Sequence, residues 1–313
     1  MRIAIIDNIH FKLAEILTSA GHECVILDEL EGDELKDALK GFEGIVVRSR
    51  HLRRALLSEV TDLKFIGRVG AGVENIDRVY CEEKGVKLLS APEGNRDGVG
   101  EICVAYTLIL MKHMIRGNDQ VRKGLWLREE NRGSDLEGKT VGIIGYGNMG
   151  SSFAEKLKGL GVRILAHDKY KRDFSGGHVH ESSLDELLAE SDVISLHLPL
   201  NDETRYFAGR EFFGRISRPV YFLNTSRGAV VDTEALMDAV DDGRVLGAAL
   251  DVLEFERSDL SGLDHSIKPH VQQRVFNSDR LLLTPHIAGV THEGARKMAE
   301  ILARKIIEAF PNE

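Results

Sequence analysis

The chain is poor in cysteine, carries no excess of positive charge and has no long apolar run. Its three cysteines, Cys24, Cys81 and Cys103, are odd in number and follow no spaced framework, which excludes a disulfide scaffold and fits a reducing cytoplasm. A net charge of −9 excludes a general electrostatic attraction to nucleic acid or anionic membrane, so a small-molecule partner is expected. The longest apolar stretch, residues 102–111 between Glu101 and Lys112, is far too short to span a bilayer and reads as a buried helix. The N-terminus lacks the apolar core and cleavage site of a signal peptide and runs directly into a strand-like Ile3-Ala4-Ile5-Ile6.

What is present is alternation. With 313 residues and 42% apolar content, two domains are expected. Strands are expected at 3–6, 24–27, 45–47, 65–69 and 86–89, with helical segments such as 11–20 between them. A second run has strands at 140–144, 162–166, 193–198, 220–223, 247–249 and 281–283. Val- and Ile-rich strands separated by amphipathic helices predict parallel sheets covered on both faces. An apolar helix over 99–115 and a polar stretch over 122–137 separate the two runs, and helical spacing resumes over 293–310.

The second run opens on Gly145-Tyr146-Gly147-Asn148-Met149-Gly150, between a strand and a helix-patterned stretch, with Asp168 closing the next strand. Gly145 permits the tight turn, Gly147 lets the backbone approach a pyrophosphate, and Gly150 allows close helix–strand packing. Asn148 and Met149 start the helix whose free N–H groups and positive dipole end receive the anion. Asp168 is placed to accept hydrogen bonds from the adenosine ribose, which favours NAD over NADP, although Lys169 beside it softens that preference. The first run ends its first strand in Asp7-Asn8-Ile9 and has no such glycine loop.

A bound nicotinamide needs a group that moves a proton and another that polarises the substrate oxygen. Three candidates follow strands of the second run: Arg227, Glu256 and His286. Ligands of open α/β sheets sit at these strand ends. Glu254, two residues from Glu256, suits the carboxylate part equally on spacing. His178-Val179-His180 has the alternation of a metal pair but no third ligand at a recognisable spacing, so no metal is expected.

These features together resemble the D-isomer-specific 2-hydroxyacid dehydrogenase family, which includes phosphoglycerate, D-lactate and formate dehydrogenases and glyoxylate and hydroxypyruvate reductases. The resemblance covers essentially the whole chain. It rests on the glycine fingerprint, on Asn224-Thr225-Ser226-Arg227-Gly228, on Gly247-Ala248-Ala249-Leu250-Asp251-Val252 and on Leu283-Thr284-Pro285-His286-Ile287-Ala288-Gly289. It implies that Arg227 binds the substrate carboxylate and polarises the keto oxygen, that His286 is the general acid–base, and that Glu256 rather than Glu254 is its carboxylate partner. It also implies cofactor contacts at His197, Leu198, Pro199, Thr204, Thr225 and Ser226, with Asp251 facing the nicotinamide carboxamide. Ala71 and Gly72, in Val69-Gly70-Ala71-Gly72-Val73, resemble the turn whose backbone holds the substrate carboxylate. Arg48 and Ser49 resemble a substrate loop of phosphoglycerate dehydrogenases, with His51 in place of the usual Thr and with Arg53 and Arg54 adding positive charge.

The resemblance therefore implies two doubly wound domains, an NAD-binding Rossmann domain (95–289) inserted into a flavodoxin-like substrate domain (1–94 and 290–313). The expected activity is NAD-dependent interconversion of a D-2-hydroxy acid and its 2-keto acid. The basic loop leans toward 3-phosphoglycerate, with glyoxylate or hydroxypyruvate reduction and D-lactate-type activity as alternatives. No appended regulatory domain is expected after Glu313. A homodimer is expected, formed around the 99–115 helix and the Trp126 segment. A rival of another class is an NAD-responsive interaction protein like the C-terminal-binding corepressors, which share the fold and the three polar residues.

Overall fold

The computed structural model describes residues 1–257 and 259–311. The chain forms two compact units, Met1–Arg96 with the segment from Val290 onward, and Asp97–Arg257 with Gly262–Gly289; a short stretch at 259–261 groups with the first.

The first unit contains β1 (Arg2–Ile5), β2 (Glu23–Ile26), β3 (Gly44–Val47), β4 (Phe65–Arg68) and β5 (Lys87–Ser90). All pair in parallel in the order β2-β1-β3-β4-β5, the flavodoxin-like arrangement. Alternation along β1 sends successive side chains to opposite faces. Ala4 and Ile6 join a core with Leu39, Phe42, Leu57 and Val60, whereas Ile3 and Ile5 join one with Leu13, Leu17, Leu302 and Ile306. The latter core is closed by the His292–Ala309 helix, whose Thr291 cap accepts from the Gly294 N–H at 2.9 Å. Its buried Met298, Ala299, Leu302, Ala303 and Ile306 recur at helical spacing. Lys305 Nζ pins it to the Ser90 carbonyl and to Glu93, each at 2.8 Å. Truncating the fully buried Leu302 to Ala would cost about 2–5 kcal/mol.

The second unit contains β6 (Thr140–Ile144), β7 (Arg163–His167), β8 (Val179–Glu181), β9 (Val193–Leu196), β10 (Val220–Asn224), β11 (Val245–Leu250) and β12 (Leu281–Leu283). The sheet is parallel throughout, in the order β12-β11-β10-β9-β6-β7-β8. Counted from β6 this is the Rossmann order extended by one strand. The chain thus has the two doubly wound sheets expected, with the Rossmann sheet falling in sequence between β5 and the His292–Ala309 helix of the first unit.

The helix expected over 99–115 is two helices, Arg96–Met111 and Met114–Arg122, bent by 61° at the break. The cause is distant in sequence. The Ser134 N–H takes the Met111 carbonyl at 2.9 Å, and a Cβ on Gly133 would lie 2.5 Å from that same oxygen, so a returning segment caps the first helix there. His113 then turns the chain in the left-handed conformation, at φ 52°. Val99, Cys103 and Tyr106 of the first helix are buried with Phe153 and Leu157, whereas the second helix buries none of its residues. No single helix among the described residues is long and apolar enough to cross a membrane.

Candidate active site

The glycine loop lies at the C-terminal end of β6. Gly145 has φ +93°, and a Cβ there would stand 2.4 Å from the His197 carbonyl oxygen. Gly150, inside the Asn148–Lys156 helix, would place a Cβ 2.1 Å from the Gly145 carbonyl oxygen, so helix and strand meet at contact distance. Nothing lies within 4 Å of a Cβ built on Gly147. The loop is therefore tight where the protein packs on itself and open where a diphosphate needs backbone access. Asn148 and Met149 begin the helix, whose first N–H groups have no partner within it. The residues fit a dinucleotide.

Asp168 follows β7 by one residue. Its Oδ2 accepts from the Tyr146 N–H at 2.8 Å, and its Oδ1 from the N–H groups of Tyr170 and Lys171, both at 2.9 Å. Burial opposes its ionisation, but these three donors and Lys171 outweigh it and hold the carboxyl below the usual range. Oδ2, with one donor, keeps capacity for another. Lys169 pairs with Glu203 at 2.7 Å.

His197 follows β9, and its Nε2 lies 2.9 Å from Ser195 Oγ. Its Nδ1 is buried without a hydrogen-bond partner among the described residues, and burial pushes the ring down to about 3, so it stays neutral. Leu198 packs on the core, and Thr204 Oγ1 donates to the Pro199 carbonyl at 2.6 Å, closing the turn that follows. Thr225 Oγ1 is 3.4 Å from Cys103 Sγ; burial raises that thiol to about 12, which leaves it no nucleophilic part.

β10, β11 and β12 are adjacent and parallel, so the residues following them emerge at one edge. Arg227 follows β10, Asp251 and Glu256 follow β11, and His286 follows β12. His286 Nδ1 and Glu256 Oε1 are 2.7 Å apart, with the side chains 30% and 18% exposed. With Nδ1 committed, Nε2 is the nitrogen left for proton transfer. His286 sits at φ 55°, a strained place for a ring-bearing residue, and its N–H donates to the Asp251 carbonyl at 2.8 Å.

Asp251 fixes that loop. The residue is 1% exposed; its Oδ1 accepts from Thr284 Oγ1 at 2.6 Å, the Ile287 N–H at 2.9 Å and the Tyr106 hydroxyl at 3.2 Å, and its Oδ2 from the Ala288 N–H at 2.8 Å. Arg227 donates to the Ser226 carbonyl at 2.8 Å, and Ser226 Oγ donates to Asn224 Oδ1 at 2.7 Å. A Cβ on Gly228 would stand 2.0 Å from the Leu253 carbonyl oxygen, so the loop bearing Arg227 lies directly on the loop bearing Glu256. The structure thus joins Glu256 to His286 and sets the Arg227 loop against the Leu253–Glu254 backbone just before Glu256.

In the first unit, the backbone N–H groups of Arg48, Ser49 and Arg50 all donate to Asp7 Oδ2, at 2.6, 2.8 and 3.2 Å. Arg48 is exposed and Ser49 half-buried. Arg50 Nε lies 3.4 Å from Asp7 Oδ1, and its Nη atoms donate to the carbonyls of Leu30 and Asp28. Arg54 pairs with Glu83 at 2.5 Å. Ala71 and Gly72 are half-buried in the turn after β4. His178 Nε2 lies 2.8 Å from the Ala154 carbonyl, and no group of three His, Cys, Asp or Glu among the described residues is arranged to hold a metal. Sequence reasoning missed Asp7 and Tyr106, whose partners lie far along the chain; a carboxylate closing the first strand of a parallel sheet was the one available signal.

The profile of the D-isomer specific 2-hydroxyacid dehydrogenase NAD-binding domain matches residues 104–288. Hydroxypyruvate reductase from Thermotoga maritima is 32% identical over 308 residues, 98% of this chain and 97% of that protein. D-3-phosphoglycerate dehydrogenase from Methanocaldococcus jannaschii is 30% identical over 317 residues, and the match covers 100% of this chain but 58% of the relative. Among solved structures, D-lactate dehydrogenase from Aquifex aeolicus, complexed with NAD and lactic acid, superposes with a TM-score of 0.81 at 30% identity, covering 99% of this chain and 95% of the other.

Proposed function

Because the chain belongs to the D-isomer-specific 2-hydroxyacid dehydrogenase family, we propose that its NAD-dependent interconversion of a D-2-hydroxy acid and a 2-keto acid runs through Arg227, His286 and Glu256. The observation that carries this reading is the 2.7 Å contact between His286 and Glu256 at the edge of the dinucleotide-binding sheet. The bound nicotinamide supplies the hydride in one direction and takes it in the other. Arg227 binds the substrate carboxylate and polarises the keto oxygen through its fixed donors. His286 gives the Nε2 proton to that oxygen during reduction and takes it back during oxidation. Glu256, 2.7 Å from Nδ1, orients the ring so that Nε2 faces the reacting oxygen.

Gly145, Gly147, Asn148, Met149 and Gly150 would hold the diphosphate and Asp168 the ribose. His197, Leu198, Pro199, Thr204, Thr225 and Ser226 would line the cofactor, with Asp251 toward its carboxamide. The unit built on β1–β5 is the substrate domain, with contacts at Arg48, Ser49, Ala71 and Gly72. Exposed Arg48 and Arg53 support a phosphorylated acid such as 3-phosphoglycerate. A second reading, hydroxypyruvate or glyoxylate, is favoured by the internal commitment of Arg50 and Arg54 and by the full-length match to a hydroxypyruvate reductase.

The exposed Met114, Ile115, Val121, Leu125 and Trp126, the last 76% exposed, support a homodimer, and the free Cys24, Cys81 and Cys103 support a reducing cytoplasm. Light scattering at micromolar concentration should give the dimer mass. The deciding assay is NADH oxidation across a panel of 2-keto acids that includes 3-phosphohydroxypyruvate, hydroxypyruvate, glyoxylate and pyruvate. Turnover of one of them is expected. NADH binding with turnover of none would favour the corepressor-like reading.

A further inference from the structure

Glu254, two residues before Glu256, takes no part in the pair with His286. Its side chain is 4% exposed and lies 2.8 Å from Lys268 Nζ. It also accepts from the Tyr206 hydroxyl at 2.8 Å and from the Thr233 N–H at 3.2 Å. Lys268 reaches Asp232 at 3.3 Å, and its ammonium stands 5.2 Å from the centre of the Tyr206 ring. Burial works against the Glu254 charge, but Lys268, Tyr206 and Thr233 outweigh it and keep the carboxyl ionised. Tyr206 and Lys268 both occupy the left-handed region, at φ 55° and 44°. Side chains of that size persist there only where their surroundings over-determine them, and such residues gather at functional sites.

What this network holds is the turn at 253–256. The Glu256 N–H donates to the Leu253 carbonyl at 3.1 Å, and that same carbonyl bears on Gly228. Leu253 is thereby shared between the segment that presents Glu256 and the one that presents Arg227. We propose that Glu254 is a positioning residue: clamped by Lys268 and Tyr206, it sets the turn that aims Glu256 at His286 and supports Arg227. The proposal rests on the roles given to those three residues above. Its rival is a plain staple, in which Lys268 merely anchors the start of the Pro269–Asn277 helix.

The two differ in kinetics. Glu254→Gln, Tyr206→Phe and the double variant Glu254→Gln/Lys268→Met are compared with the wild type well below their melting temperatures, using the best keto acid of the panel. Glu254→Gln should lower kcat about tenfold or more while the Kd for NADH stays within about twofold, because a displaced turn spoils alignment rather than cofactor binding. Tyr206→Phe, which removes one oxygen, should lower kcat about threefold. The double variant removes both charges of the Glu254–Lys268 pair, leaving Asp232 to its contact with the Glu234 N–H, and should recover Tm without recovering kcat. Recovery of both, or an unchanged kcat in Glu254→Gln, overturns the proposal. A wild type silent toward every keto acid overturns the dehydrogenase reading beneath it, a separate result.

Discussion

The two sheets share an architecture and differ at one place. Each has a crevice where strand order reverses, between β1 and β3 in the first unit and between β6 and β9 in the second. In the first, Asp7 follows β1 by two residues and its carboxylate receives three successive N–H groups from the segment after β3. In the second, Gly145 ends β6 against the His197 carbonyl, with open space beside Gly147. Parallel winding creates an anion-receptive crevice in both. A residue just after the first strand makes the difference: in one sheet the protein's own carboxylate receives the N–H groups, and in the other glycine leaves the backbone open.

Several substitutions would break or sharpen this contrast. The largest effect belongs to the second sheet: Arg227→Ala and His286→Ala should each lower turnover about 10²–10⁴-fold with NADH affinity near that of the wild type, measured by steady-state kinetics beside fluorescence titration. Asp7→Ala should strand the three N–H groups that its carboxylate satisfies. We expect a loss of about 2–4 kcal/mol in urea unfolding with NADH binding unchanged.

Within the glycine loop, Gly150→Ala should cost about 1–3 kcal/mol because its Cβ meets backbone. Gly147→Ala should change stability by less than about 0.5 kcal/mol yet weaken NADH, since only a ligand needs that space.

Acid sensitivity is a modest effect spread over several pH units. Burial lowers His197 to about 3, and burial with the N-terminal charge lowers His22. Unfolded imidazoles take up protons at higher pH than these folded ones, so stability is full above about pH 6.5 and falls toward pH 3. His197→Gln should remove about 1–2 kcal/mol of the loss between pH 7 and pH 5, seen in paired denaturation curves.

Most strands were legible as apolar runs that stop at a turn-favouring residue, as β6 does at Gly145, β10 at Asn224 and β11 at Asp251, whereas the three-residue β8 (Val179–Glu181) was not expected. The glycine loop was legible because its context is local, with strand, turn, helix and acid all within residues 140–168. What escaped depends on contacts across long separations. The helix break at Lys112–His113 is set by Ser134, and the part played by Asp7 by N–H groups that begin 41 residues away. Glu254 and Glu256 are indistinguishable by spacing, because a turn aims them at different partners: one at Lys268, the other at His286. The family resemblance favours Glu256, and its 2.7 Å contact with His286 supports that reading.

The most direct test of the account is chiral analysis of the product formed from NADH and the best keto acid. The account predicts the D-2-hydroxy acid alone, and a product that is L or racemic would contradict it.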